Sequence, residues 1–287
     1  EAARDAGVTV VPASGRQAFS IADALSGTFL SEGLAIAANG AIGVHLGTGR
    51  TYFENLLAPD AQAALFHGLQ ARFPGVRCVS VRDGGTTFVP QRGYVGMMDP
   101  GDHGRPDVLP EFDLDAVLSA PSLKFVVRHP EVGVDDLLAA ALELAVPGCL
   151  PTTSGAPFLE VSAAGVDKGA GLTELCGVLG IERADVVAFG DNRNDVTMLA
   201  WAGHGVAMGN ALPEALAVAD VGGTKTKACL VEAASGRVLA DETLPTPCAE
   251  GGRVNVHDER PAGGGAGADD EGAAAGRDSE VPRVGDG

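Results

Sequence analysis

The sequence predicts an α/β protein with a Rossmann-like parallel-sheet core, an inserted α+β cap domain and a disordered C-terminal tail. Three observations carry that expectation. Between residues 156 and 220 short apolar runs alternate with helical spacing, the pattern of a parallel sheet with helices on its faces. Between 51 and 155 the texture is more irregular, as in a module inserted between two parts of another domain. After residue 250 apolar periodicity stops in a stretch of Gly, Ala, Asp and Glu that cannot bury enough surface to offset its ordering entropy. The expected division is residues 1–50 and 156–220 for the core, 51–155 for the cap, 221–249 for a separate hairpin segment and 250–287 for the tail.

The elements follow in order. Glu1-Ala2-Ala3-Arg4-Asp5-Ala6 reads as the last turns of a helix running into Gly7, so the chain is expected to start inside an element, as a piece of something longer. Val8–Ser14 is a short β-branched run bounded by Gly7 and Gly15, the signal of a buried strand. Helical spacing covers Gln17–Leu25. An apolar run, Leu34–Ala38, stops at the turn dipeptide Asn39-Gly40, and Ala41–Leu46 continues extended. Pro59-Asp60 opens an amphipathic helix over 59–73. Strands are expected at Arg77–Val81, Thr86–Pro90 and Leu123–Arg128, with a helix at Asp135–Leu144 and a Pro/Gly/Asp-rich connection at Asp99–Pro110. Strand and helix then alternate: Phe158–Ser162, Gly169–Leu179, Asp185–Phe189, Asp195–Ala200, Gly205–Met208 and Leu212–Val218.

Composition removes several function classes. The 287 residues carry 20 Lys+Arg against 38 Asp+Glu, a net charge of −18 that argues against nucleic acid and against an anionic membrane surface as partners. The most apolar stretch, Leu137–Leu150, already contains Glu143 and falls short of the roughly 20 residues a spanning helix needs. No basic segment leads into an apolar one at the start, and a cytoplasmic address is expected. Cys78, Cys149, Cys176, Cys229 and Cys248 are widely spaced without a CxxC pair, so they read as reduced and structural.

The most specific chemical signal is Gly190-Asp191-Asn192-Arg193-Asn194-Asp195, where a strand turns into a helix. Ligands of open α/β sheets collect at such strand ends. Two carboxylates four residues apart there can hold a hard cation such as Mg²⁺, directly and through water. Asp191 as a turn former and Asp195 as a helix cap remain open alternatives.

Four segments in order resemble the haloacid dehalogenase-like phosphatase superfamily, in its Cof-type branch with a large α/β cap: Ala13-Ser14-Gly15-Arg16, Ala38-Asn39-Gly40-Ala41, Val166-Asp167-Lys168-Gly169 and Gly190–Asp195. The resemblance implies an Mg²⁺-dependent hydrolase of a small phosphorylated metabolite such as a sugar phosphate. It makes Ser14 the hydroxyl donor to a phosphoryl oxygen and Lys168 the cation that neutralises nucleophile and phosphoryl charge. It makes Asp191 and Asp195 the metal ligands, and sets Gly15, Arg16, Asn39 and Asn194 around the substrate. Ser14 as a strand-end turn residue and Lys168 as a solvated helix start are the weaker readings beside these motifs, and a Lys there opposes the helix dipole.

One departure is large. The family's first motif, Asp-x-Asp-Gly-Thr, supplies the aspartate nucleophile and the general acid/base, and none precedes Ser14. The expectation is a chain truncated before that motif and inactive as it stands, with a catalytically silent remnant as the alternative. A second resemblance starts at Asp220-Val221-Gly222-Gly223-Thr224 and runs through Ala228–Glu232, a Ser235-Gly236 turn and Arg237–Glu242 to Leu244-Pro245-Thr246-Pro247. It is similar to the first hairpin of sugar kinases of the repressor/kinase (ROK) family, where Gly-Gly-Thr amides cradle ATP phosphates. It implies a fusion fragment carrying part of such a kinase.

Overall fold

The computed structural model describes residues 2–98 and 109–219 and two strands, Lys225–Val231 and Val238–Pro245. The fold is mixed α/β, in two lobes. The first lobe opens with α1 (Ala2–Asp5) and α2 (Ala18–Ala24), followed by β1 (Leu34–Ala37), β2 (Ile42–His45) and β3 (Arg50–Glu54). Ala38, Asn39 and Gly40 have φ of 51°, 57° and 97°. This left-handed turn reverses the chain so tightly that β1 and β2 pair antiparallel, with Ala37 opposite Ile42, and β3 adds to β2.

Two expected boundaries shift as a result. Phe53 in β3 is buried with Ile36, Leu172 and Leu175, so the strand after residue 50 packs in the first lobe. At the other side β8 (Leu159–Ala163), expected in the core, pairs with β6 (Lys124–Arg128) and β7 (Cys149–Thr152) in the second lobe. That lobe has a five-stranded sheet in the order β5-β4-β6-β8-β7, with β4 at Arg77–Arg82 and β5 at Thr87–Pro90. Every pairing in it is antiparallel.

Period-two alternation divides that sheet. Phe125, Val127, Leu159 and Val161 point to one face and pack with Leu65, Phe66 and Leu69 of α3 (Pro59–Arg72) and Leu137 of α5 (Val134–Leu144). Each such fully buried side chain contributes about 1.5–3 kcal/mol. Lys124, Arg128, Phe158 and Glu160 lie on the opposite face. A short helix, α4 (Leu114–Leu118), adds Val117 to the apolar side.

The chain returns to the first lobe through α6 (Lys168–Leu179), β9 (Val187–Gly190), α7 (Val196–Trp201), β10 (His204–Ala207) and α8 (Pro213–Leu216). The Asp167 side chain caps α6 by accepting from the Ala170 amide at 2.9 Å, and Gly180 ends it at φ 68°. β9 and β10 run parallel, as the alternation predicts.

The expected buried strand at Val8–Ser14 is largely absent. Parallel pairing is confined to Ala13 opposite Ile36, through Ile36 N–H to Pro12 O (2.8 Å) and Ser14 N–H to Ile36 O (2.9 Å). Val8 is 55 % exposed, because among the described residues no strand lies beside it. The outer edge of β9 is likewise unpaired among the described residues, with Val187 53 % and Phe189 55 % exposed. A β-branched run encodes the extended shape, but its burial depends on a neighbour.

Lys225–Val231 and Val238–Pro245, β11 and β12, pair antiparallel with Thr226 opposite Leu244. The Asp220–Thr224 loop, the Ser235-Gly236 turn and the tail at 250–287 lie outside the described residues, as does most of Asp99–Pro110. Among the described residues no helix is long and apolar enough to cross a membrane. Cys78, Cys149 and Cys176 are free thiols. Burial, with a smaller push from Asp60, raises the Cys149 thiol to about 11, and burial also raises Cys78 and Cys176.

Candidate active site

The predicted residues converge. Ser14, Gly15, Arg16, Lys168, Asp191, Asn194 and Asp195 line one cleft of about 660 Å³, together with Lys124, Phe158 and Glu160 of the second lobe.

The cleft floor is an ion pair. Lys168 Nζ lies 2.5 Å from Asp195 Oδ1, and both residues are about 95 % buried. Asp195 Oδ2 accepts from the amides of Asp191 and Asn192, at 3.0 Å each. Three of the roughly four lone-pair positions of this carboxylate are therefore committed. The same contacts close the 190–195 loop: Asn192 caps the turn and Asp195 reaches back to its amide, a capping box. Asp195 thus closes the turn as the third residue after the Asn192 cap, makes no side-chain cap bond to α7, and holds Lys168 through its Oδ1.

Asp191 differs. Its Oδ2 accepts from Asn210 Nδ2 at 3.0 Å and its Oδ1 has no partner among the described residues. Asp191 is therefore the freer oxygen donor of the expected pair. Among the described residues no group of three acidic, imidazole or thiol side chains could enclose a metal ion. Asp191 and Asp195 alone do not make a complete Mg²⁺ seat.

The Ser14–Arg16 turn is fixed on one side. Ser14 O accepts from the Asn39 amide (3.0 Å), Arg16 O from the Ala38 amide (2.9 Å) and Gly15 O from Lys124 Nζ (2.8 Å). The Arg16 amide donates to Ser14 Oγ at 3.2 Å, which leaves the hydroxyl proton available for another acceptor. The Gly15 N–H has no acceptor among the described residues. A Cβ at 15 would stand 2.8 Å from Asn39 Oδ1, so a side chain there would displace the Asn39 amide. The Arg16 side chain is exposed at the mouth, 3.5 Å from Ser20 Oγ.

Asn39 does not take the place expected of it. It is 2 % exposed and does not line the large cleft; its Oδ1 accepts from Asn194 Nδ2 (2.9 Å) and its Nδ2 donates to Glu160 Oε2 (3.2 Å). Both ends of its amide are used in bridging, so Asn39 links Asn194 to Glu160 in the interior.

The sequence reading missed Lys124 and Glu160. Glu160 Oε1 meets Lys124 Nζ at 2.6 Å, with both side chains at most 2 % exposed. Burial raises the Glu160 pKa, but attraction to Lys124 and hydrogen bonds from Lys124, Ser154 and Asn39 outweigh it and leave the carboxyl below its ordinary range. The available signal was a pair of charges inside strand-like apolar runs, Lys124 in Leu123–Arg128 and Glu160 in Phe158–Ser162.

Comparison with known proteins gives the family and the fold. Residues 1–228 match the family model of haloacid dehalogenase-like hydrolases. The HMP-PP phosphatase of Serratia proteamaculans is 54 % identical over 56 residues, 20 % of either chain. The 5-amino-6-(5-phospho-D-ribitylamino)uracil phosphatase YwtE of Bacillus subtilis is 44 % identical over 63 residues, 22 % of either chain. The chain thus spans about a fifth of the length of these curated relatives. The solved structure of the phosphatase BT1666 from Bacteroides thetaiotaomicron shares the fold with a TM-score of 0.61 and 24 % identity, over 76 % of each chain. With the match extending over most of its residues, the chain belongs to the haloacid dehalogenase-like hydrolase family.

Proposed function

We propose that the cleft binds the phosphoryl group of a small phosphorylated metabolite, a sugar phosphate by the family resemblance, for hydrolysis of its ester in the cytoplasm. One observation carries the reading: the buried Lys168–Asp195 pair shares its cleft with the Ser14 hydroxyl and the unpaired Gly15 amide. The phosphatase names of the relatives support the same class.

In this reading the Ser14 hydroxyl and the Gly15 N–H donate to phosphoryl oxygens. The Arg16 amide keeps Ser14 Oγ in place, and the Lys168 ammonium offsets charge that develops as the ester bond breaks. Arg16 at the mouth attracts the dianion. Water is restricted by the second lobe, which acts as the cap. Mg²⁺, when bound, would shield phosphoryl charge. Asp191 is the residue placed to meet it, and no step is assigned to the ion because the described residues lack a full seat.

The attacking carboxylate is not among Ser14, Lys168, Asp191 and Asp195. We place it on an Asp-x-Asp-Gly-Thr strand outside these 287 residues, between Ala13 and the open edge of β9; the exposed Val8, Val187 and Phe189 support that position. The chain by itself then binds phosphate without turnover.

The test is hydrolysis of p-nitrophenyl phosphate with Mg²⁺. The 287-residue chain is expected to be inactive, and a version extended at its N-terminus with that strand active. Robust turnover by the unextended chain that is lost in Asp191→Ala would overturn the assignment of the nucleophile.

A further inference from the structure

Lys124 and Glu160 belong to the second lobe, and besides the bond from Ser154 to Glu160 within that lobe, each makes a bond to the first. Glu160 stands opposite Val126 in the β6–β8 ladder, and Lys124 lies two residues from Val126 on the same face, so the pair is a diagonal neighbour contact. Taking both ions out of water costs several kcal/mol each, which is offset only where geometry is good and the other valences are satisfied. Here they are satisfied across the lobe junction. Lys124 Nζ donates to Gly15 O at 2.8 Å, and Glu160 Oε2 accepts from Asn39 Nδ2 at 3.2 Å.

These two bonds end at informative places. Gly15 O belongs to the peptide whose N–H, on Arg16, holds Ser14 Oγ. Asn39 holds the Ser14 carbonyl with its own amide and Asn194 with its side chain. Both peptide planes of the Ser14–Arg16 turn are therefore oriented by groups that the Lys124–Glu160 pair fixes.

We propose that Lys124 and Glu160 are positioning residues that set the phosphate turn through Gly15 and Asn39, so that docking of the second lobe and phosphate affinity depend on each other. The inference rests on the reading of Ser14 and Gly15 as phosphate donors. Neither charge touches the phosphoryl group: Lys124 acts through the Gly15–Arg16 peptide, Glu160 through Lys124 and Asn39. Coupling of this kind is reciprocal, so phosphate bound at the turn also tightens the junction.

The experiment uses the full 287-residue chain and inorganic phosphate, with affinity measured by calorimetry and the thermal midpoint measured without phosphate. The variant Lys124→Met/Glu160→Gln removes both charges while keeping their approximate shape. It is expected to fold and to bind phosphate about tenfold or more weakly, as befits donors that are no longer preorganised. Glu160→Gln alone retains the ammonium and most of the hydrogen bonds; it serves if the double variant does not fold, with a smaller loss of at least about threefold. Exchange of the Arg16 amide, held by Ser14 Oγ, is expected to quicken in either variant. A lowered midpoint with affinity within twofold of the parent would show a merely structural pair and overturn the inference alone. Absence of phosphate binding by the parent chain would overturn the functional reading and this inference together.

Discussion

A Cβ atom on Gly40 would stand 1.9 Å from the carbonyl oxygen of Asp167. The Asn39-Gly40 turn and the start of α6 are thus in backbone-to-backbone contact, and Gly171 repeats the closeness from within the helix, 2.8 Å from Gly40 Cα by the same measure. This contact sets where Lys168 begins relative to Asn39. Gly40 also has φ 97°, which side chains rarely adopt. Gly40→Ala is expected to destabilise the protein by about 2–6 kcal/mol, strain and overpacking combined. Denaturant unfolding measures it, and a cost below about 1 kcal/mol would contradict the contact.

Lys168 and Asp195 supply a second expectation. Lys168→Met leaves a buried carboxylate without its cation and should cost about 3–5 kcal/mol. Adding Asp195→Asn should restore a good part of that loss. A double-mutant cycle with no coupling would mean that the pair does not form in solution.

The acid limb of the stability profile should report Glu160. Its folded pKa is depressed, so the unfolded chain binds the proton more tightly. The stability it contributes is complete above the ordinary glutamate value of about 4.3 and is lost as pH falls through the lower folded value. Glu160→Gln should therefore be less stable than the parent at neutral pH, with the gap closing as the solution is acidified. A gap that widens on acidification would reverse the sign and exclude the assignment.

Ala145 ends α5 in the left-handed conformation, φ 45°, and is exposed. A non-glycine residue there costs roughly 1–2 kcal/mol. Ala145→Gly is expected to recover about 0.5–1 kcal/mol net of the added chain entropy. Thermal unfolding checks it, and a drop in midpoint would show that the cap is not left-handed.

What the sequence revealed and what it hid can be traced to particular residues. The 190–195 loop, Ser14 and Lys168 were legible because local pattern and chemistry coincide there: strand, turn, carboxylate. Asn39 was legible as a turn former but not as a bridge, since a buried amide and a substrate-binding amide look the same in a string of letters. Lys124 and Glu160 stayed hidden because their meaning depends on which face of a sheet each occupies and what that face meets. The strand expected at Val8–Ser14 shows the converse, a β-branched run whose pairing is reduced to Ala13 opposite Ile36 because the local pattern could not supply a partner.

The uncovered edge of β9 also bears on how molecules of this protein meet one another. Where the strand proposed to lie there is missing, the backbone groups left unpaired among the described residues, beside exposed Val187 and Phe189, form a template onto which another copy can add a strand. A net charge of −18 opposes that encounter by repulsion. Salt shortens the reach of this repulsion from about 10 Å at 0.1 M to about 3 Å at 1 M and leaves the edge itself unaltered. Copies carrying the open edge are then expected to stay apart in dilute buffer and to associate through it as salt rises, the reverse of a protein held together by surface ion pairs.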